Sequence, residues 1–438
     1  MTDMNRRDFL ASTAVLAGSA AVRGLSASPS DTVRMAVVGC GGRGGSHVGA
    51  WPKLPNVEIV ALCDVDEAHI AAKLKTLESA GLKKPATYVD FRKLLEDKSI
   101  DAVSIATPNH WHTLQTIWAC QAGKDVYVEK PASHNVSEGR RMVEAARKYN
   151  RIVQTGMQSR SIEHKKRAIA LLREGVIGDL YMAKGLCFKR RRSIGKADDS
   201  PAPGAVDYDL WRGPAPMRAF NSNRFHYNWH WFWDTGNGDI GNQGVHEMDV
   251  ARWGLGKTSH PKRVFCSGGK FLYDDDQETP NTQTATFDYG DCQLVFEVRG
   301  LLTGGECSIA FDGSNYIGNL FFGSEGFMSV DLNGFQVYKG EKRELVDKME
   351  FTEPRKWDTA PLVTNFLDAV RSRRQADLTA DIEQGHLSAA LCHLANASYR
   401  TGRVLNFDPA TETFGGDGEA NAYLSREYRK PFEVPQTV

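Results

Sequence analysis

The apolar positions of the chain fall into two regimes. From 33 to 156, short apolar runs alternate with longer stretches of mixed polarity. VRMAVVG (33–39), VEIVALCDVD (57–66), DAVSIATP (101–108), DVYVEKP (125–131) and IVQTG (152–156) read as strands. Between them 46–54, EAHIAAKLKTLESAG (67–81), YVDFRKLLEDKSI (88–100), 112–122 and SEGRRMVEAARKYN (137–150) read as helices, two of them stopped by Gly81 and Gly123. Near-continuous apolar strands alternating with helices predict a parallel sheet covered on both faces.

Beyond Gly156 the period changes. EHKKRAIALLREGVIG (163–178) predicts an amphipathic helix, followed by a long irregular stretch rich in Pro, Gly and aromatic residues. ATFDYG (285–290), CQLVFEVRG (292–300), CSIAFDG (307–313), YIGNLFFG (316–323) and GFMSVDL (326–332) alternate apolar and polar positions and predict antiparallel strands between Gly and Asp turns. LVTNFLDAVRSR (362–373) and IEQGHLSAALCHLANASYRTG (382–402) predict a closing pair of helices. Within that pair His386 and His393 stand seven apart on one face, where packing is the simpler reading.

Composition narrows the possibilities. With 54 basic and 54 acidic side chains the chain has no net charge, so nothing points to nucleic acid. The dense basic run Lys189-Arg190-Arg191-Arg192 reads as a solvated loop or a rim that attracts an anionic ligand. None of the eight cysteines forms a C-x-x-C pair, which argues against both a zinc knuckle and a disulfide scaffold. Residues 1–30 stand apart. Arg6 and Arg7 precede Phe9-Leu10 and a mild, alanine-rich apolar stretch, the pattern of a twin-arginine export signal cut near Ala27. The expected destination is the periplasm, without stable membrane insertion, because the apolar stretch is short for a span.

The chemistry begins at GCGGRG. Gly39, Gly41 and Gly44 have the G-x-G-x-x-G spacing, directly after a predicted strand and opening a helix, with Gly42 and Arg43 inside the turn. In that setting the first glycine permits a tight turn, the second lets backbone approach a pyrophosphate and the third lets helix and sheet pack closely. Asp64 ends the second strand twenty residues after Gly44, where a carboxylate accepts ribose hydroxyls and repels a 2′-phosphate; NAD is therefore the expected cofactor. The fold class is α/β: a Rossmann dinucleotide-binding domain over 31–155, then an α+β domain with an open, mostly antiparallel sheet over 156–438, for substrate binding and oligomerisation.

Two further runs end strands on the ligand-binding edge of such a sheet. ATPNHWH carries Thr107, Asn109 and His112, and VEKP carries Glu129 and Lys130. Together with the glycine turn, REGVIGDL, GVHEMDVARW and the final helices, they resemble the Gfo/Idh/MocA family, which includes glucose–fructose oxidoreductase and inositol 2-dehydrogenase. The resemblance is close over the first domain and looser afterwards. It implies Thr107, Asn109, His112, Glu129, Lys130 and Gln158 as cofactor contacts, and a homo-oligomer, dimer or tetramer.

Lys130 is the expected proton-handling group, its pKa lowered beside a positively charged nicotinamide. In dehydrogenases of the family a run D-x-G-x-H-x-x-D joins that lysine. Here Gly244, His246 and Asp249 match it, but Asn242 stands where the catalytic aspartate is expected. Asn cannot take up a proton, though it still hydrogen-bonds a hydroxyl. Upstream, Arg224, His226, Tyr227, Trp229 and Trp231 lie in a dense aromatic run suited to a carbohydrate platform, and Asp249 completes the expected substrate contacts. His226, His230 and His246 lack a supporting carboxylate–cysteine pattern, so no metal is expected.

The leading functional expectation is an exported NAD-dependent oxidoreductase acting on a ring hydroxyl or ketone of a sugar, cyclitol or derivative. The alternative is an NAD-dependent glycoside hydrolase that oxidises C3 transiently, eliminates and restores, without net redox. Asn242 favours the second and the intact E-K-P run the first. A sugar-binding module holding NAD without turnover is the third reading.

Overall fold

The computed structural model describes residues 31–438 apart from 307–308, 310, 313–314 and 352–358. The predicted export signal lies outside the described residues, as does most of the strand expected over 307–313.

Strands β1 (Val33–Val38), β2 (Val57–Cys63), β3 (Ala86–Tyr88), β4 (Ala102–Ile105), β5 (Asp125–Val128) and β6 (Val153–Thr155) form one sheet in the order β3-β2-β1-β4-β5-β6. Every neighbouring pair is parallel. This is the doubly wound order whose reversal beside β1 opens a crevice at the strands' carboxyl ends. β1 shows why its sequence is apolar throughout: Met35 and Val37 face one core and Ala36 and Val38 the other, all essentially without exposure.

The second sheet runs through β7 (Leu180–Lys189), β8 (Arg263–Gly269), β9 (Thr282–Asp288), β10 (Gln293–Arg299), β11 (Phe311–Asp312), β12 (Asn315–Gly323), β13 (Gly326–Asp331), β14 (Gly334–Lys339), β15 (Glu344–Glu350) and β16 (Leu405–Asn406). Its order is β15-β14-β13-β12-β7-β10-β9-β8-β16, with β11 beside β12. Pairing is antiparallel except between β7 and β10. Helix Gly244–Gly254 packs on β7, β10 and β12, and helix Ile382–Thr401 packs on both β8 and the first domain's helix Val136–Lys148.

Several elements differ from the sequence expectation. The helix expected over 46–54 starts at Gly42, because the glycines of the turn themselves form its first turn. The stretch read as one helix over 88–100 begins beside the short strand β3, and its helix is only Phe91–Leu95, capped by Asp90. β7, placed at the centre of the second sheet, falls in the region that reads as irregular from about 179 on. Its inward face is interrupted by Gly185, where a Cβ would lie 3.1 Å from Phe296 and 3.2 Å from Glu247 of the overlying helix. The edge strand β15 is exposed nearly throughout and carries Glu344, Asp347, Lys348 and Glu350, so no apolar pattern marks it.

Candidate active site

The turn after β1 is built around close backbone approach. Gly39 has φ +79°, and a Cβ there would lie 2.8 Å from the Ala106 carbonyl oxygen; a Cβ on Gly44 would lie 1.6 Å from the Gly39 carbonyl oxygen. Gly42 has open space in front of it and lines the cavity beyond. No side chain caps the helix that starts at Gly42, so its first N–H groups face that space with the positive end of the helix dipole behind them.

The cavity has a volume of about 380 Å³ and follows the carboxyl edge of the first sheet. At one end Phe91, Trp111, Trp118 and Trp211 form apolar walls suited to a flat heterocycle. Next comes Asp64, nearly buried, whose Oδ2 accepts the Cys40 N–H at 2.6 Å and whose Oδ1 accepts the Asp66 N–H at 2.9 Å. Past the glycines lie Thr107, Glu129, Lys130 and Asn242, with Tyr227, Trp229 and His230 opposite. Apolar slot, ribose acceptor, glycine cradle and open helix end occur in the order a dinucleotide requires, so these residues fit NAD.

Glu129 is fixed as a carboxylate. Burial alone would raise its pKa, but Arg43 Nε at 2.9 Å and His47 Nε2 at 3.1 Å hold it well below the usual carboxylate range. Lys130 is shifted the other way. Burial lowers its pKa against the opposing pull of Glu129, and Arg43, Lys189 and Arg191 lower it further. Lys130 Nζ donates to the main-chain oxygen of Asn242 at 2.8 Å. The Asn242 side chain instead donates to Asp239 Oδ1 at 3.3 Å. Asp239, almost fully buried, is gripped by Arg191 at 2.6 and 3.0 Å, and Arg191 Nη1 donates to the Tyr227 hydroxyl at 3.1 Å. One continuous chain of contacts therefore joins Lys130, Asn242, Asp239, Arg191 and Tyr227.

Of the residues singled out from sequence, Gly39, Gly41, Gly42, Arg43, Asp64, Thr107, Glu129, Lys130, Asn242, His226, Tyr227 and Trp229 line the cavity, and Gly44 packs directly behind it. The other residues singled out from sequence stand outside the cavity lining. Asn109 is buried and donates to Ser133 O and Asn237 Oδ1. His112 braces the two strand ends from behind, with ring nitrogens 2.7 Å from Pro131 O and 2.8 Å from Thr107 O. Gln158 backs Glu129 at 3.4 Å. Arg224 reaches Ala219 O and lies over Phe232, and Trp231 is buried beneath the Arg191 guanidinium, 5.3 Å from its ring centre. Asp249 is wholly buried, bound by Arg160 at 2.8–3.0 Å and by Ser388 Oγ at 2.6 Å; its role is to fasten helix Gly244–Gly254. His246 is 6% exposed and is not part of the cavity wall. Burial and Lys130 push its pKa down to about 3, so it is a neutral imidazole. His226 belongs to the ribose end: its Nε2 lies 2.8 Å from Asp66 Oδ2, and its ring faces His69 at 4.4 Å.

Sequence reasoning passed over Arg191 and Asp239 as a pair, and His69. Arg191 and Asp239 are 48 positions apart, and only folding brings them together. Among the described residues, two groups, Asp66 with His69 and His226, and His260 with His386 and Glu412, place possible metal ligands within 4.8 Å of one another. In the second, Arg140 already binds the Glu412 carboxylate.

Comparison with known proteins agrees with this geometry. Residues 33–157 match "Oxidoreductase family, NAD-binding Rossmann fold" and residues 185–434 match "Oxidoreductase family, C-terminal alpha/beta domain". A glycosyl hydrolase family 109 protein of Shewanella pealeana is 32% identical over 171 residues, 37% of this chain and 37% of the relative. One from Saccharopolyspora erythraea is 32% identical over 160 residues, 35% of each chain, so the match spans little more than a third of these relatives. Among solved structures, the WlbA dehydrogenase from Bordetella pertussis in complex with NADH and UDP-GlcNAcA superposes with a TM-score of 0.63 at 20% identity, covering 86% of this chain and 99% of that one. The aldose–aldose oxidoreductase from Caulobacter crescentus gives 0.62 at 18% identity, covering 86% and 100%. Both halves of the chain thus carry the same family's signature, and the protein belongs to the Gfo/Idh/MocA oxidoreductase family, its first domain an NAD-binding Rossmann fold.

Proposed function

We propose that the protein is an NAD-dependent oxidoreductase that oxidises a ring carbinol of a sugar, cyclitol or derivative, or reduces the corresponding ketone. The observation that carries this reading is Lys130: a lysine with a lowered pKa, on the cavity wall beyond the glycine cradle and tied to Asn242 O at 2.8 Å. Bound in this cradle, NAD supplies the hydride acceptor. Lys130 takes the hydroxyl proton at Nζ, because its neutral amine keeps a donor on Asn242 O while offering its lone pair to the substrate. Glu129, held as a carboxylate, stabilises the ammonium that results. Trp229, His230 and Tyr227 offer the opposite wall flat faces for sugar C–H groups and polar edges for hydroxyls. Asn242 and Asp239 take no proton in this scheme, since one is an amide and the other is consumed by Arg191.

The likeness to family 109 glycosyl hydrolases supports a second reading, in which the same oxidation is transient and a glycosidic bond is broken without net redox. Both start with proton removal at Lys130. Incubation with free sugars and NAD, and with aryl glycosides without added NAD, separates them. Steady NADH formation from a free sugar supports net oxidation; aglycone release without NADH supports hydrolysis. Turnover in neither assay leaves a sugar-binding module. The twin-arginine pattern of Arg6 and Arg7 supports export to the periplasm, and family resemblance a homo-oligomer. No helix among the described residues is long and apolar enough to cross a membrane.

A further inference from the structure

Beyond helix Gly418–Asn421 the described residues form no further helix or strand, yet this segment is fastened to the first domain at several points. Phe432 and Val434 are buried in the core that also holds Phe91 and Trp111. Arg426 Nη2 donates to His110 O at 3.2 Å and Nη1 to Asp234 O at 3.0 Å. A segment with no ladder of its own is held by side-chain contacts, and here they converge on the apolar slot at the end of the cavity.

Trp111, one wall of that slot, stands in the first turn of helix Asn109–Gln121. On one side its indole N–H donates to Leu210 O at 3.0 Å and Trp211 O at 3.2 Å, and a Cβ on Gly213 would fall 2.1 Å from the ring. On the other side Phe432 meets it in a T-shaped contact, centroids 5.3 Å apart at 74°. The guanidinium of Arg92, next in the chain to the wall residue Phe91, also lies over Phe432, 5.3 Å from its ring centre. Arg429 joins the two sides. Its Nε donates to Gly213 O at 3.0 Å, and Nη1 and Nη2 donate to Asp209 Oδ1 and O at 2.7 Å each. The same guanidinium lies 4.9 Å from the Phe432 ring centre. The stretch that brings Leu210 and Trp211 to the slot is thereby tied to the residue that backs Trp111. Neither Arg429 nor Phe432 lines the cavity. An indole held from both sides keeps one orientation, and a preformed slot spares a flat ligand the cost of ordering its walls.

We propose that Arg429 and Phe432 are positioning residues for the adenine end of NAD, acting through Trp111 and Trp211, so that segment 426–434 is a strap that keeps the heterocycle slot in shape. The inference concerns the cofactor and does not depend on which sugar reaction follows. It makes the grip on the adenosine half of NAD depend on residues remote from the glycine turn, while the glycine cradle and Lys130 stay as they are.

Calorimetric titration of the full chain with NAD and with ADP, which carries only the adenosine half, tests this. In Phe432→Ala and Arg429→Ala the Kd for both ligands should rise about five- to tenfold, the size of one aromatic contact. Phe432→Leu, which keeps most of the bulk behind Trp111, should recover most of the loss. Val330→Ala, a truncation in the core beside β13, is the stability control: it should lower Tm and leave both Kd values in place. Should Phe432→Ala fail to fold, Arg429→Ala, at a half-buried position, decides alone. Kd values unmoved in the strap variants overturn the inference, as does a loss for NAD without one for ADP. An equal loss in Val330→Ala also overturns it, because the effect is then one of general stability. Failure of the parent to bind ADP overturns it too, because the slot then takes no adenine.

Discussion

Lys130 reaches across to the second domain and donates to the main-chain oxygen of Asn242, not to its side chain, at 2.8 Å. The lysine is therefore anchored by a group that any residue at 242 would supply. This changes the meaning of the asparagine at a position where dehydrogenases of the family carry an aspartate: losing that side chain need not release Lys130.

Replacement of Lys130 itself is expected to be severe. Lys130→Met should lower kcat by about 10²–10⁴-fold while leaving NAD binding, read by fluorescence titration, largely in place. In the parent, log kcat/KM for oxidation should rise with pH and level off once the amine is neutral. Burial places that inflection below the ordinary lysine value of about 10.4. A profile flat across the range would remove Lys130 as the base.

Restoring the family's aspartate should do harm here. In Asn242→Asp a second carboxylate would stand about where the amide now contacts Asp239 at 3.3 Å, against a carboxylate that is already buried. Like charges so close raise one pKa and destabilise the pair, by about 1–3 kcal/mol. Activity should fall and thermal stability drop, while Asn242→Ala, which keeps the main-chain oxygen, should retain more of both. Measurement of kcat and Tm for the two variants decides the matter.

The glycine cradle predicts an all-or-none effect. A methyl group on Gly44 would overlap the Gly39 carbonyl oxygen at 1.6 Å, and no rotamer relieves a Cβ. Gly44→Ala should lose NAD binding and about 1–3 kcal/mol of stability or more; denaturant unfolding with and without NAD separates the two losses.

Asp64 should govern cofactor choice. Asp64→Asn retains an oxygen for the Cys40 N–H but loses the charge that repels a 2′-phosphate. NAD affinity should fall about tenfold, and the margin over NADP should narrow, both read from Kd values.

Stability should decline in acid because of Glu412. Burial would raise its pKa, but hydrogen bonds from His260, His386 and Arg140 hold it far below the usual value. The native state thus binds fewer protons at Glu412 than the unfolded chain, and its contribution, full above about pH 4.5, is lost as pH falls. Burial also lowers the pKa of His386, so stability should begin to fall from about pH 6.5 downward. Urea unfolding at several pH values checks this, and Glu412→Gln should flatten the lower part of the curve.

The sequence by itself determined the first domain closely, because each signal there is local. A buried parallel strand must be apolar on both faces, a pyrophosphate turn needs glycines at fixed spacing, and a ribose acceptor must follow at the next strand end. Gly39, Gly41, Gly44 and Asp64 were legible on those grounds, and Thr107 and Lys130 through strand-end runs that resemble the family's. β7 and β15 were not, one broken by Gly185 under a helix and the other exposed at an edge.

Tertiary structure alone decided which polar residues share a site. Residue type does not say where a side chain finds its partner. His112 stands between the Pro131 and Thr107 oxygens, Asn109 donates to Asn237, and Asp249 is held by Arg160, all inside the core. Arg191 and Asp239, distant in sequence, close on each other and carry Tyr227 with them. Buried polar groups must be paired, and the pairing partner is set by packing rather than by spacing along the chain.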